Sequence, residues 1–96
     1  MDILFHLTTE ASRSLLIGFG AACQQNKVSW GCFFTNDGVK VLEDKTVLAV
    51  LENAEKTVVC EHSWDRFMGE ATSPVKLGSQ TINSAMMAEA RRVVSL

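Results

Sequence analysis

Lys56-Thr57-Val58-Val59-Cys60-Glu61-His62-Ser63-Trp64-Asp65 is the stretch around which this chain is organised. A threonine and two valines give Lys56 to Cys60 the character of a buried strand. The polar and titratable residues that follow lead into one or two helical turns, Trp64 to Met68, stopped by Gly69. A thiol placed where a buried strand ends and a helix begins is held rigidly and can still be reached.

The same alternation of strand and helix extends in both directions. Upstream, Asp2 to Leu7 is a short apolar run that fits a first strand, and Thr8 or Thr9 supplies a capping hydroxyl with Glu10 as an acidic first turn. From Ala11 to about Gln25 the residues Leu15, Leu16, Phe19, Ala22 and Cys23 recur at three- and four-residue spacing, which predicts an amphipathic helix with this stripe on a sheet. Gly18 and Gly20 each cost that helix about 1 kcal/mol relative to alanine, so they are expected to permit close approach to another backbone. Lying inside the helix, they do not form a phosphate loop. Val28 to Phe34 reads as the second strand and Asn36-Asp37-Gly38 as a turn. Val39 to Leu42 is ambiguous. Glu43 or Asp44 then caps a helix whose buried stripe is Val47, Leu48, Leu51 and Ala54.

Downstream, Glu70 to Pro74 is a loop and Val75-Lys76-Leu77 a short fourth strand. Ser79 caps a last helix with Ile82, Ala85, Met86 and Ala90 inward and Arg91 and Arg92 at its negative end. Val93 to Leu96 is the fifth strand. Strands alternating with helices call for right-handed crossovers and a covered, mainly parallel sheet. The expected fold is therefore a single α/β domain over residues 1–96. It is a three-layer, flavodoxin-like arrangement with a sheet of four to five strands and helices on both faces.

Composition narrows the function. A length of 96 residues, 47 % hydrophobic and with one proline, suits one packed core. The net charge of −2 and the nine scattered basic residues give no electrostatic footprint for nucleic acid. Apolar runs fall short of the roughly 20 residues of a membrane helix, and Met1-Asp2-Ile3-Leu4 lacks the basic start of a signal peptide. The expected location is cytoplasmic, with no membrane partner. Three cysteines without a CxxC pair suggest free thiols rather than a disulfide framework or a zinc ribbon.

In an open parallel sheet, ligands bind beyond the carboxyl ends of the strands. Three polar segments gather there: Thr8-Thr9-Glu10, Thr35-Asn36-Asp37-Gly38 and Cys60-Glu61-His62-Ser63. Cys60 is the candidate nucleophile and His62 the group that polarises or holds its thiolate. Thr8, Thr9, Asn36, Asp37, Gly38, Glu61 and Ser63 line the site. An unperturbed thiol, with a pKa of about 8.5, is only a few per cent ionised at neutral pH. The amides that start the helix and a protonated His62 lower that value, whereas a Glu61 carboxylate on the same side raises it. The sequence leaves the net sign open. Cys23 and Cys32 are read as packing residues. Cys60-x-His62 offers two metal ligands, short of the four of a closed zinc site, so neither a metal nor a cofactor is expected.

Three stretches carry a family resemblance. Phe33-Phe34-Thr35-Asn36-Asp37-Gly38-Val39 is similar to the aromatic strand and Asp-Gly-Val turn of the DsrE/DsrF/DsrH-like family. Thr57-Val58-Val59-Cys60 resembles its cysteine-bearing strand, and Gly78 to Leu96, ending Ala90-Arg91-Arg92-Val93-Val94-Ser95-Leu96, its last helix and strand. Two features depart from the family: the segment between Gly38 and Asp44 is short, and Glu61-His62-Ser63-Trp64 stands where small and then basic residues are usual. The resemblance implies a sulfur-relay protein, a sulfurtransferase that takes a sulfane sulfur on Cys60 as a persulfide and passes it to a partner thiol. Sulfur donor and acceptor proteins are then its partners, and a homo- or hetero-oligomer its state. The competing expectation is a noncatalytic subunit or small-ligand binding module in which Cys60 is inert. A receiver-like domain lacks support, since no paired acids follow the first strand.

Overall fold

Consecutive strand residues point to opposite faces of a sheet, and this chain makes both faces apolar. In the computed structural model, which describes Met1–Leu96, strands Ile3–Leu7 (β1), Trp30–Phe34 (β2), Lys56–Cys60 (β3), Lys76–Gly78 (β4) and Arg92–Ser95 (β5) form one sheet in the order β4-β3-β2-β1-β5. Every pairing is parallel. Helices Arg13–Gln25 (α1), Lys45–Leu51 (α2), Glu61–Met68 (α3) and Gln80–Glu89 (α4) connect the strands.

Two separate cores result. Phe5, Leu7, Cys32, Phe34 and Val59 pack with Leu16 of α1, Val47 and Leu51 of α2 and Trp64 of α3. Leu4, Phe33, Val58 and Cys60 pack on the other face with Met86 of α4. The strand order explains this division. Right-handed crossovers stepping from β1 to β4 in one direction put α1, α2 and α3 on one face. The return to β5, beside β1, carries α4 over the other. β3 and β4 are therefore the neighbours whose outgoing connections leave to opposite faces, and their carboxyl ends bound the crevice of such a sheet. The three-layer, flavodoxin-like α/β fold is the one expected from the alternating pattern.

Local signals placed several boundaries correctly. Asp44 caps α2, accepting from the Thr46 N–H at 2.8 Å, and Ser79 caps α4, accepting from the Ile82 N–H at 3.4 Å. Gly69, with φ +63°, ends α3. The ambiguous segment is a 3-10 helix, Asn36–Glu43, that buries Gly38, Val39, Val41 and Leu42.

Other expectations are corrected. The first helical segment opens as a 3-10 turn, Glu10–Ser12, and becomes α-helical only at Arg13. Its buried face is Leu16, Gly20 and Cys23, while Leu15 and Phe19 are 52 % and 46 % exposed. Gly20 lies on the buried side with no room for a side chain: a Cβ there would lie 2.5 Å from Val50 and 3.1 Å from Trp30. The close approach at Gly20 is to side chains rather than backbone, and Gly18 faces open space. α2 ends at Leu51, short of Ala54, and α3 starts at Glu61, three residues before Trp64. Ala85 of α4 is exposed. No helix is long and apolar enough to cross a membrane.

Candidate functional site

β3 delivers Cys60 to the carboxyl edge of the sheet, where the residue itself becomes the N-cap of α3 with extended backbone angles, φ −60° and ψ 121°. The first amides of a helix have no intrahelical partner. As N-cap, Cys60 makes no side-chain hydrogen bond, but the amides of Ser63 and His62 and the hydroxyls of Ser63 and Thr35 are close enough to favour its thiolate. Burial by itself raises the pKa of this thiol. The four donors outweigh it, with the Ser63 amide first among them, and hold the thiol below its ordinary value. The sulfur residue is 6 % exposed.

The other cysteines have no such shell. Cys32, in the middle of β2 and fully buried, is pushed well above the ordinary thiol value by burial alone. Cys23 is raised by burial and by the nearby charge of Asp2. All three thiols are free.

Sheet register brings Thr35 beside Cys60. Phe34 pairs with Val59, which puts Thr35, the residue after β2, next to Cys60, the last of β3. Thr35 Oγ1 lies 3.3 Å from Ser63 Oγ, and the Asn36 N–H donates to Ser63 Oγ at 2.9 Å. Gly38 fastens this corner, because a Cβ on it would strike the Leu7 carbonyl. The Thr35 N–H donates to that same carbonyl at 3.0 Å. On the far side, Cys60 pairs with Gly78 at the end of β4.

The remaining predicted residues divide. Asn36, Gly38 and Ser63 are brought to Cys60 or to its immediate support. His62 contributes its amide, while its side chain is exposed. Glu61 is also exposed on that turn. Thr8 turns away, its hydroxyl donating to the Leu96 carbonyl at 3.3 Å. Thr9 is occupied as a cap, accepting from the Ala11 N–H. Asp37 sits in the first turn of the 3-10 helix, half-buried. Thr35 stood in one of the predicted polar segments, yet its contact with Ser63 beside Cys60 went unforeseen. The register of β2 against β3 is the signal that finds it.

A cleft of about 540 Å³ beside the site is lined by Glu61, Trp64, Asp65, Glu70 and Leu77 among others, but not by Cys60. No three His, Cys, Asp or Glu side chains cluster closely enough to hold a metal ion. Chemically, a strand-end thiol held below its ordinary pKa is suited to nucleophilic attack. No family model, curated protein or solved structure matches this chain.

Proposed function

We propose that this protein is a sulfur carrier of the DsrE/DsrF/DsrH-like kind, with Cys60 as the carrying thiol. The observation that supports it is the placement of Cys60 at the carboxyl end of β3 as the N-cap of α3, where the neighbouring amides and hydroxyls of Ser63, His62 and Thr35 hold its pKa down against burial. A thiolate attacks a sulfane sulfur without any cofactor. Cys60–S⁻ uses its electron pair to form a bond to the outer sulfur of R–S–SH. The donor S–S bond breaks, R–S⁻ leaves with that bond's pair, and Cys60–S–SH remains. An acceptor thiolate then attacks the outer sulfur and releases Cys60–S⁻, so atoms and electrons balance over the cycle. The oxygen and nitrogen donors serve both ends of the cycle, since each step begins or finishes with charge on the Cys60 sulfur.

The carrier works in a reducing, cytoplasmic compartment, which three unpaired thiols suit. It exchanges sulfur with donor and acceptor proteins, in a homo- or hetero-oligomer.

Burial favours a second role, that of an inert subunit. Cys60 is 6 % exposed and packs with Leu4, Phe33, Val58 and Met86, as a small hydrophobe would. Brief exposure of the folded protein to polysulfide, followed by peptide-resolved mass spectrometry, separates the two. The carrier gains sulfur on Cys60 alone, and Cys60→Ser abolishes the gain while the fold persists. A Cys60 that stays unmodified until the chain is denatured removes the carrier role from the isolated protein.

A further inference from the structure

α1 turns an apolar face outward. Leu15 and Phe19 are its most exposed large side chains, and with Gly18 and Ala22, also exposed, they recur at three- and four-residue spacing, which places them on one side of the helix. No charged residue stands between Arg13 and Lys27, whereas α3 shows Glu61, Asp65 and Arg66 to solvent. A contiguous apolar patch rimmed by polar residues marks an interaction surface, as single scattered apolar side chains do not.

The patch holds both a projection and a recess. Leu15 and Phe19 project, and the Phe5 ring steadies Phe19, stacked on it at 5.9 Å between centroids. Gly18 beside them opens a notch, because a Cβ there would meet nothing within 4 Å. Next to Phe19, a groove of about 320 Å³ lies between α1 and β5, lined by Ile3, Phe5, Ala22, Val28 and Val94 among others. β5 is the edge of the sheet, so no further strand closes the groove.

A two-fold interface sets one surface patch against the same patch, so the patch must supply both knob and hole. This one does, and being uncharged it meets its own copy without opposing like charges. The charges at its two ends select the direction. Glu10 precedes α1 and Lys27 follows it, both exposed. Parallel helices would set Glu10 against Glu10 and Lys27 against Lys27. Antiparallel helices bring the Glu10 end of each copy to the Lys27 end of the other, which is attractive at both ends.

We propose that the outward face of α1 is the interface of a homodimer: a second copy packs antiparallel on the stripe from Leu15 to Ala22, its Leu15 and Phe19 entering the Gly18 notch and the groove beside β5. The proposal gives the oligomer named above its partner and its surface, and it is independent of Cys60.

The test is sedimentation equilibrium of the folded protein over a concentration series. Wild type should be dimeric at the upper end and dissociate on dilution. Leu15→Glu and Phe19→Glu should each weaken the dimer at least about tenfold, since two-fold symmetry puts every new carboxylate into the interface twice, while circular dichroism stays that of wild type. Met87→Glu, which alters a similarly exposed apolar side chain on α4 across the sheet, should leave the dimer unchanged. Glu10→Lys and Lys27→Glu should each weaken it roughly threefold, and the two together should restore it. A wild type that stays monomeric at every concentration assigns the face to a different partner and overturns the proposal. So does a dimer that survives both Leu15→Glu and Phe19→Glu, or a charge-swapped double variant weaker than either single one. Polysulfide loading of Cys60 on the same samples reads the carrier role separately. A monomer that gains sulfur loses this interface alone, and a dimer that gains none keeps the interface and loses the carrier.

Discussion

Cys32 and Cys60 lie on neighbouring strands of one sheet and are both buried, yet their thiols are driven in opposite directions. Burial opposes the charged form at each. At Cys32 nothing answers it, because a mid-strand residue has its own backbone groups committed to the ladder and its side chain among apolar neighbours. At Cys60 the ladder stops, a helix starts, and nearby amides and hydroxyls hold the thiol's pKa down against burial. The difference shows that a strand end followed directly by a helix favours the charged form of a buried thiol that the middle of the same sheet disfavours.

The sharpest way to break that contrast is chemical. With iodoacetamide at neutral pH, Cys60 in the folded protein should alkylate faster than Cys32, since its thiol is held below the ordinary value and that of Cys32 above it. Equal rates would mean that the donor shell does not act in solution. A stability measurement sharpens the same contrast. Cys32→Ser places a hydroxyl among apolar side chains and should cost roughly 1–3 kcal/mol in urea unfolding. Cys60→Ser should cost less than about 1 kcal/mol, since the four donors find another acceptor. If the two costs are reversed, the shell round Cys60 is not what sets its environment.

A smaller effect appears in the pH dependence of stability. The folded pKa of Cys60 lies below its unfolded value, about 8.5, so its contribution is fully present above that value and is lost as pH falls through the folded pKa. The folded pKa of Cys32 lies above its unfolded value. Its contribution is intact below about 8.5 and is lost as pH rises beyond it. Cys60→Ala should therefore remove a rising slope below pH ~8.5, and Cys32→Ala a falling slope above it, each at most about 1.4 kcal/mol per pH unit. Unchanged slopes in both variants would show that neither thiol differs in ionisation between the folded and unfolded states.

Much of the fold was legible because its causes are local. Leu4-Phe5, Phe33-Phe34 and Val58-Val59 are adjacent apolar pairs, and a strand covered on both faces requires such pairs. Asp44, Ser79 and Gly69 mark helix ends through bonds or angles within a few residues. The face that α1 buries was not legible. Leu15 and Phe19 belong to its best apolar stripe, but Gly20 lets the helix settle against Val50 and Trp30, partners that its own spacing does not encode.

The site divides along the same line. A thiol at the end of β3, directly before the free amides of a helix, follows from the order of residues alone, because strand character and helix initiation depend on near neighbours. The direction of its titration does not. It is set by how deeply the sheet buries Cys60 against the amides and hydroxyls nearby, the Ser63 amide first, and Ser63 in turn is met by Thr35 across 28 positions of chain through the register of β2 and β3. Burial and register are long-range quantities, and only the packed sheet brings the end of one strand beside the thiol at the end of the next.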